Sequence, residues 1–405
     1  MNMASPSRRE ALKLLASGLL GAGATALSLH ASKLSAGDEL KVGMSGALSG
    51  PAQALGLGMK RGLEAWIQRI NARGGIHGRK LRLIALDDGY EPGRTGPNMH
   101  ALIDIHNVFA ILGNPGTPTA AVAVPIANEA RVPLFGAYTG AGLLRKSPPD
   151  RYVVNYRASY AQETAEMVRG LTQELGFRPD QIGFFTQNDA FGDSGFAGAV
   201  TALEKLGYAD ARLLPHGRYT RNTLDVEDGL AQLMDPRFSL KAVIMVGTYG
   251  PCAQFIKLAR KHGMNALFAN VSFVGADALA RALGPDGDGV VVTQVVPHPN
   301  DDLPLLAEFR QSVPAPDRNF VSLEGFIVGR AFTEVLGRTG PNPTPDKFIA
   351  TLEAGQSFDL GLEHPFQLSP SRHQFSDTIW RTYLKQGSFQ TFGNWMTVNP
   401  AATGG

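Results

Sequence analysis

The chain has 405 residues, 43% of them hydrophobic and 18% charged, which is an ordinary globular balance with length for two or three domains. A formal net charge of +2 gives no electrostatic reason to expect nucleic acid or an acidic membrane as a partner. The single cysteine, Cys252, excludes a disulfide framework and a thiolate metal cluster.

The chain opens with Ser7-Arg8-Arg9-Glu10-Ala11-Leu12-Lys13, then an apolar stretch over 14–29 rich in Gly and Ala. A charged head, a mildly apolar middle and small residues such as Ala24-Thr25-Ala26 make an export signal. The paired arginines fit the twin-arginine type, with Ala11 where Phe is common. The apolar stretch falls short of the ~20 residues that a membrane span needs. Residues 1–36 are therefore expected to be signal and linker, and the mature protein to work in the periplasm.

Strands and helices then alternate. Residues 40–45 form a strand, and Met59, Leu63, Trp66, Ile67 and Ile70 recur at helical spacing up to Gly74-Gly75. Residues 80–87 predict a strand, 95–106 a helix, 110–113 a strand, 118–130 a helix and 133–137 a strand. The alternation restarts after 152–157. Helix 159–176 opens on a capping box at Ser159, strand 182–187 follows, then helices 195–206 and 224–234. Strand 242–247 is almost wholly apolar, as a strand covered on both faces should be. Helix 251–262 and strands 267–271 and 289–296 come next, then helices 303–313, 321–338 and 345–353. The tail over 358–397 alternates like short antiparallel strands. Such order predicts an α/β protein of two doubly wound Rossmann-like lobes.

In doubly wound sheets, ligands bind beyond the carboxyl ends of the strands. Five loops fall there: 45–51, 114–119, 138–141, 188–192 and 248–251. Thr117 before Pro118 reads as a helix N-cap, whose free N–H groups suit a ligand carboxylate. Catalytic readings are weaker. Gly192-Asp193-Ser194-Gly195 echoes a serine-protease string but opens a helix. Gly56-Leu57-Gly58 lacks the third glycine of a dinucleotide fingerprint. The 9 His never fall in a zinc-helix frame, so no metal and no cofactor is expected. Asp87 and Asp88 are neighbours on a strand and face opposite ways.

Several strings together resemble the type I periplasmic solute-binding proteins of ABC transporters, in the leucine/isoleucine/valine-binding group. They are Ser45–Gly50 with Pro51, Gly74-Gly75-Ile76-His77-Gly78-Arg79-Lys80, Asp87-Asp88, Val132-Pro133-Leu134 with Thr139-Gly140-Ala141, Asn155-Tyr156-Arg157-Ala158-Ser159-Tyr160, Asp189-Ala190-Phe191-Gly192, Val246-Gly247-Thr248-Tyr249 and Ser322-Leu323-Glu324-Gly325. The resemblance implies two lobes joined by three crossing segments, near 152–157, 290–296 and 355–368. It places residues 38–155 plus 298–357 in the N-terminal lobe and 156–297 plus 358–399 in the C-terminal lobe. It also implies that Thr117, Tyr138, Thr139 and Gly140 meet a ligand carboxylate. Phe191, Asn188, Tyr249 and Ser272 come from the facing lobe, with Leu55 and Phe320 at the edges.

The departures bear on the ligand. Amino-acid-binding relatives place an acidic residue after the strand that ends here at Val271, to pair the ligand's ammonium, and Ser272 stands in its place. A buried ammonium without an anion is heavily penalised, unless Asp189 or Glu324 substitutes. The expectation is a monomeric, non-enzymatic importer component. It would bind a small carboxylate-bearing ligand, preferably an apolar or aromatic organic acid, and deliver it to an ABC permease in the inner membrane. A ligand sensor feeding a regulatory partner, or an exported α/β enzyme, are the alternatives.

Overall fold

The computed structural model describes residues 39–398; the expected export signal lies outside them. Among the described residues no helix is long and apolar enough to cross a membrane.

Two sheets organise the chain. The first holds β1 (Glu39–Gly46), β2 (Lys80–Asp87), β3 (Ala110–Leu112), β4 (Leu134–Phe135) and β5 (Val153–Val154), in the order β2-β1-β3-β4-β5. Here β1 pairs β3, β3 pairs β4 and β4 pairs β5, all parallel. The second begins with β6 (Ile182–Gln187), β7 (His216–Tyr219), β8 (Ala242–Val246), β9 (Leu267–Asn270) and β10 (Val291–Gln294). β11 (Ser357–Phe358) and β12 (Phe366–Gln367) form a separate hairpin, and β13 (Trp380–Lys385) and β14 (Ser388–Thr391) complete the second sheet. Its order is β14-β13-β10-β9-β8-β6-β7, parallel up to β10 and antiparallel at β13 and β14. The all-apolar Ala242–Val246 run sits at the middle of this sheet and is buried throughout, as expected of a strand covered on both faces.

Glycine spacing sets the closest helix packing in the first lobe. The Gln53–Ala72 helix lies against the Phe320–Thr339 helix. A Cβ built at Gly62 would stand 2.0 Å from the Ser322 carbonyl oxygen, and one at Gly325 would stand 2.4 Å from the Met59 carbonyl oxygen. The backbones therefore approach to a distance only glycine allows. Trp66 fills the next layer, edge-on to Phe326 at 5.1 Å, with its indole N–H on Thr333 at 2.8 Å.

The expected elements recur with local differences. The helix expected over 95–106 runs Pro92–His100 and then widens into a π turn, Ala101–Ile105. The Ser159 capping box is present, Gln162 being the reciprocal partner. Leu224, expected on a helix face, is exposed ahead of the Glu227–Leu233 helix. Residues near 355–368 make the β11–β12 hairpin, and the chain passes between the sheets later, where Asn155 N–H donates to His373 O (2.8 Å) and Ser376 N–H to Tyr156 O (2.8 Å). Within the tail, Phe375 lies 5.8 Å from Phe135 of β4 and 5.9 Å from Phe358 of β11.

Candidate functional site: the cleft between the sheets

The loops beyond the carboxyl ends of the two sheets meet. On the first side, two acids at the end of β2 brace the end of β1 and the loop that follows it. Asp87 accepts from the N–H of Leu48 (2.9 Å) and Ser49 (3.2 Å) and from Ser49 Oγ (2.6 Å). Burial opposes its charge, but these donors, Gly89 N–H and Arg94 together outweigh it and hold its carboxyl down at about 2. Asp88 turns the other way, into the buried side, and accepts from Ser45 Oγ (2.7 Å), Tyr90 N–H (2.9 Å) and Thr95 Oγ1 (3.2 Å). Both acids are scaffolding.

Thr117 is not an N-cap. Gly116 caps the Thr117–Glu129 helix at φ 108, a conformation costly for any residue with a Cβ, and Thr117 is the first helical residue. Its hydroxyl is freed from capping and pairs with Thr139 Oγ1 at 2.7 Å, so two buried hydroxyls stand together beside a helix start. Tyr138 reaches across the gap, its hydroxyl donating to Ser272 O at 3.2 Å. Gly140 serves packing: a Cβ there would lie 2.6 Å from the Tyr160 ring.

On the second side, Asp189 caps the Ala190–Lys205 helix through Phe191 N–H (3.0 Å). Phe191 is buried, 4.7 Å from Phe273 and 5.2 Å from Tyr160. Phe273 also approaches Tyr138 (5.2 Å) and Tyr90 (6.0 Å). Its ring is thus the centre of an aromatic group drawn from both lobes, in the tilted and edge-on contacts aromatic rings favour. Tyr249 bridges the lobes, its hydroxyl 3.5 Å from Ala54 N. Leu55 packs against Gly275, where a Cβ would stand 2.6 Å from Leu55 Cδ2. Asn188 is exposed, away from the aromatic centre. Phe320 sits at the edge, its N–H on Asp277 Oδ2 (3.3 Å), and lines an outer crevice of about 660 Å³ with Arg281, His298 and Arg318.

Beneath the aromatic group lies a buried charged cluster: Arg157 and Glu324 fall in the family-like sequence strings, Glu324 as a candidate partner for an ammonium, while Glu163 lies outside them. Arg157, at the first crossing, is wholly buried and stacks 4.6 Å over the Tyr138 ring. Its Nη2 donates to Ser272 Oγ. Glu163 Oε1 lies 3.9 Å from Nη2, and Glu324 Oε1 lies 3.6 Å from Nε. Burial opposes the Arg157 charge, but Glu324, Tyr138 and Glu163 outweigh it and hold the guanidinium above its usual value. Burial pushes the Glu163 carboxyl up and the Glu324 carboxyl up to about 7. Arg145 supports the cluster from behind, donating to Arg157 O at 2.8 Å. Cys252 is buried, and burial drives its thiol well up, which makes it a poor nucleophile.

Two parallel α/β lobes whose strand ends close on a shared polar and aromatic cleft define the class of two-lobed, ligand-enclosing binding proteins. The comparisons agree. Residues 39–388 match the family model described as periplasmic binding protein, and the chain belongs to that family. A solved structure described as a possible leucine/isoleucine/valine-binding protein from Rhodopirellula baltica SH 1 is 48% identical, with TM-score 0.84, covering 89% of this chain and 98% of that one. The substrate-binding periplasmic protein from Ralstonia solanacearum is 26% identical, with TM-score 0.79, over 87% of this chain and 100% of that one. The Leu/Ile/Val-binding protein homolog 7 of Brucella abortus (strain 2308) is 29% identical over 273 residues, 65% of this chain and 64% of that relative's length.

Proposed function

We propose that the protein is a periplasmic solute-binding component of an ABC importer, which encloses a small carboxylate-bearing organic molecule between its lobes and presents the closed form to a membrane permease. The observation that carries this reading is the convergence of both sheets' strand ends on one buried group: the Thr117–Thr139 hydroxyl pair, Tyr138, Phe191, Ser272 and Phe273. Hydroxyls and backbone N–H groups at a helix start suit a carboxylate, and the rings suit an apolar or aromatic body. Tyr249, Leu55 and Phe320 act at the edges of closure, and Asn188 at the exposed rim. The mechanism is binding: contacts from both lobes stabilise closure, and moving a population from mostly open to mostly closed takes about 5.5 kcal/mol of differential affinity. The two-lobed family fold and the expected export signal favour transport over a cytoplasmic sensor.

The test is recovery of the ligand. Protein purified without denaturation is unfolded, and the released molecules are identified by mass spectrometry. A small organic acid, bound again by the refolded chain and weakened by Thr117→Val or Thr139→Val, supports the reading. Turnover of the recovered molecule in place of simple release would refute it.

A further inference from the structure

We propose that Arg157 is the specificity-determining residue of the cleft: its guanidinium occupies the cationic position beside Glu163 and receives the ligand's carboxylate, so that the site takes acids lacking an ammonium group. This rests on the binding-protein reading above and names the substrate class and the residue that selects it.

The argument begins with donors. A guanidinium carries five N–H groups, and a buried donor left without a partner is costly. Arg157 is wholly buried, yet Nε and Nη1 have no hydrogen-bond partner among the described residues. Glu324 Oε1, at 3.6 Å, is in ion-pair range of Nε but past hydrogen-bond range. The guanidinium carbon lies 4.6 Å over the Tyr138 ring centre, which holds the group against the first lobe's wall. The fork that binds carboxylates in pairs is thus held in place and only partly used.

Two acids of the cleft, Glu163 and Asp189, are already committed. Glu163 accepts from Ser272 N–H (2.7 Å), Ser272 Oγ (3.0 Å) and Thr293 Oγ1 (2.6 Å), and faces Arg157. Asp189 accepts from Phe191 N–H (3.0 Å), from Gln187 Nε2 (2.8 Å) and from Arg221 Nη1 (3.0 Å). A ligand ammonium entering here would meet a resident cation, which already lies 3.6 Å from Glu324 Oε1, an oxygen without a hydrogen-bond partner among the described residues; a desolvated like-charge contact is strongly unfavourable. A carboxylate meets spare donors. When the lobes part, Tyr138 leaves with the first and Phe273 with the second, which opens aromatic walls beside the guanidinium for the apolar body.

The experiment titrates the full chain calorimetrically with phenylacetate, phenylacetamide and phenylalanine, and with 4-methylpentanoate, 4-methylpentanamide and leucine. In the wild type the two carboxylates should bind, with the amides and amino acids weaker by about 30-fold or more. Arg157→Gln should lose the carboxylates by a similar factor, and Arg157→Lys, which keeps charge without the fork, should recover part of the loss. Removing Arg157 strands two acids, so the Arg157→Gln/Glu324→Gln double variant is measured in parallel, and the wild-type comparison needs no variant at all. Amino acids bound as tightly as their deaminated counterparts, full affinity in Arg157→Gln, or none of the six probes bound by the wild type would each overturn the assignment. The broader reading fails differently. If native protein releases a small neutral or cationic molecule that it binds again, the cleft remains a solute site and only the Arg157 proposal falls.

Discussion

Closure brings together a latch at the mouth of the cleft, and cutting it gives a measurable result. Arg221 donates to Glu91 Oε2 across the gap at 2.9 Å and to Asp189 Oδ2 within its own lobe at 3.0 Å. Its neighbour Asn222 donates to Glu91 Oε1 (2.6 Å) and Gly89 O (3.3 Å). Arg221→Ala removes the ion pair of this group that crosses the gap, together with the guanidinium's 6.0 Å approach to the Tyr90 ring. The Arg221 side chain is 23% exposed and Glu91 44% exposed, so the pair is well screened and contributes about 0.5–1 kcal/mol. The Asp189 contact lies on one side and does not change with closure. The closing equilibrium should therefore shift toward open by about 2- to 5-fold, and Kd should rise by the same factor, mainly through faster release. Asn222 hydrogen bonds remain and hold the rest. Closure is read by energy transfer between labels on the two lobes, and Kd by calorimetry, at low and high salt. A Glu91→Gln/Arg221→Ala cycle isolates the pair, and the difference should shrink as salt screens it. Unchanged closure and Kd in Arg221→Ala at low salt would refute the reasoning.

Other expectations follow from the same contacts. Burial, with Glu163 adding and Arg157 and Arg145 opposing, raises the Glu324 carboxyl from 4.5 to about 7. The folded chain then holds a proton that the unfolded chain has released, so stability should fall as pH rises from 4.5 toward about 7, and the Glu324→Gln variant should lose this slope in urea titrations. A bound carboxylate further disfavours ionised Glu324, so affinity should fall as pH climbs through about 7 in the wild type and stay flat in Glu324→Gln. Gly62→Ala drives a Cβ to 2.0 Å from the Ser322 carbonyl, and thermal melts should show a loss of about 1–3 kcal/mol or more. Gly142→Ala, with nothing within 4 Å, is the neutral control. Phe273→Ala should cost up to about 3–5 kcal/mol, part of it paid only in the closed form, so open-state populations should rise along with loss of stability.

Much was legible from residue order. Strand–helix alternation fixed the class of fold, and the apolar Ala242–Val246 run marked a central strand because a strand covered on both faces has no polar side to show. The Ser159 box and the helical spacing of Met59, Leu63, Trp66, Ile67 and Ile70 announced their own local geometry. Loops after strands pointed to the cleft, since doubly wound sheets leave their open ends there. Capping was harder to read: Thr117 before a proline has the residue pattern of a cap, yet the left-handed Gly116 takes that place, and the threonine turns its hydroxyl to Thr139.

What tertiary structure alone decided was the pairing of charges and rings. Ser272 suggests a site with no acid nearby, whereas Glu163 approaches it from a helix 109 residues earlier in the chain. Arg157 donates to the same Ser272 hydroxyl that Glu163 accepts from, and Phe273 finds Tyr90 and Tyr138 across the gap. Hydrophobic period and turn chemistry are local, so one strand's pattern suffices to reveal them. Electrostatic partners in a cleft depend on how two separate sheets face each other, and no short window of residues contains both sides.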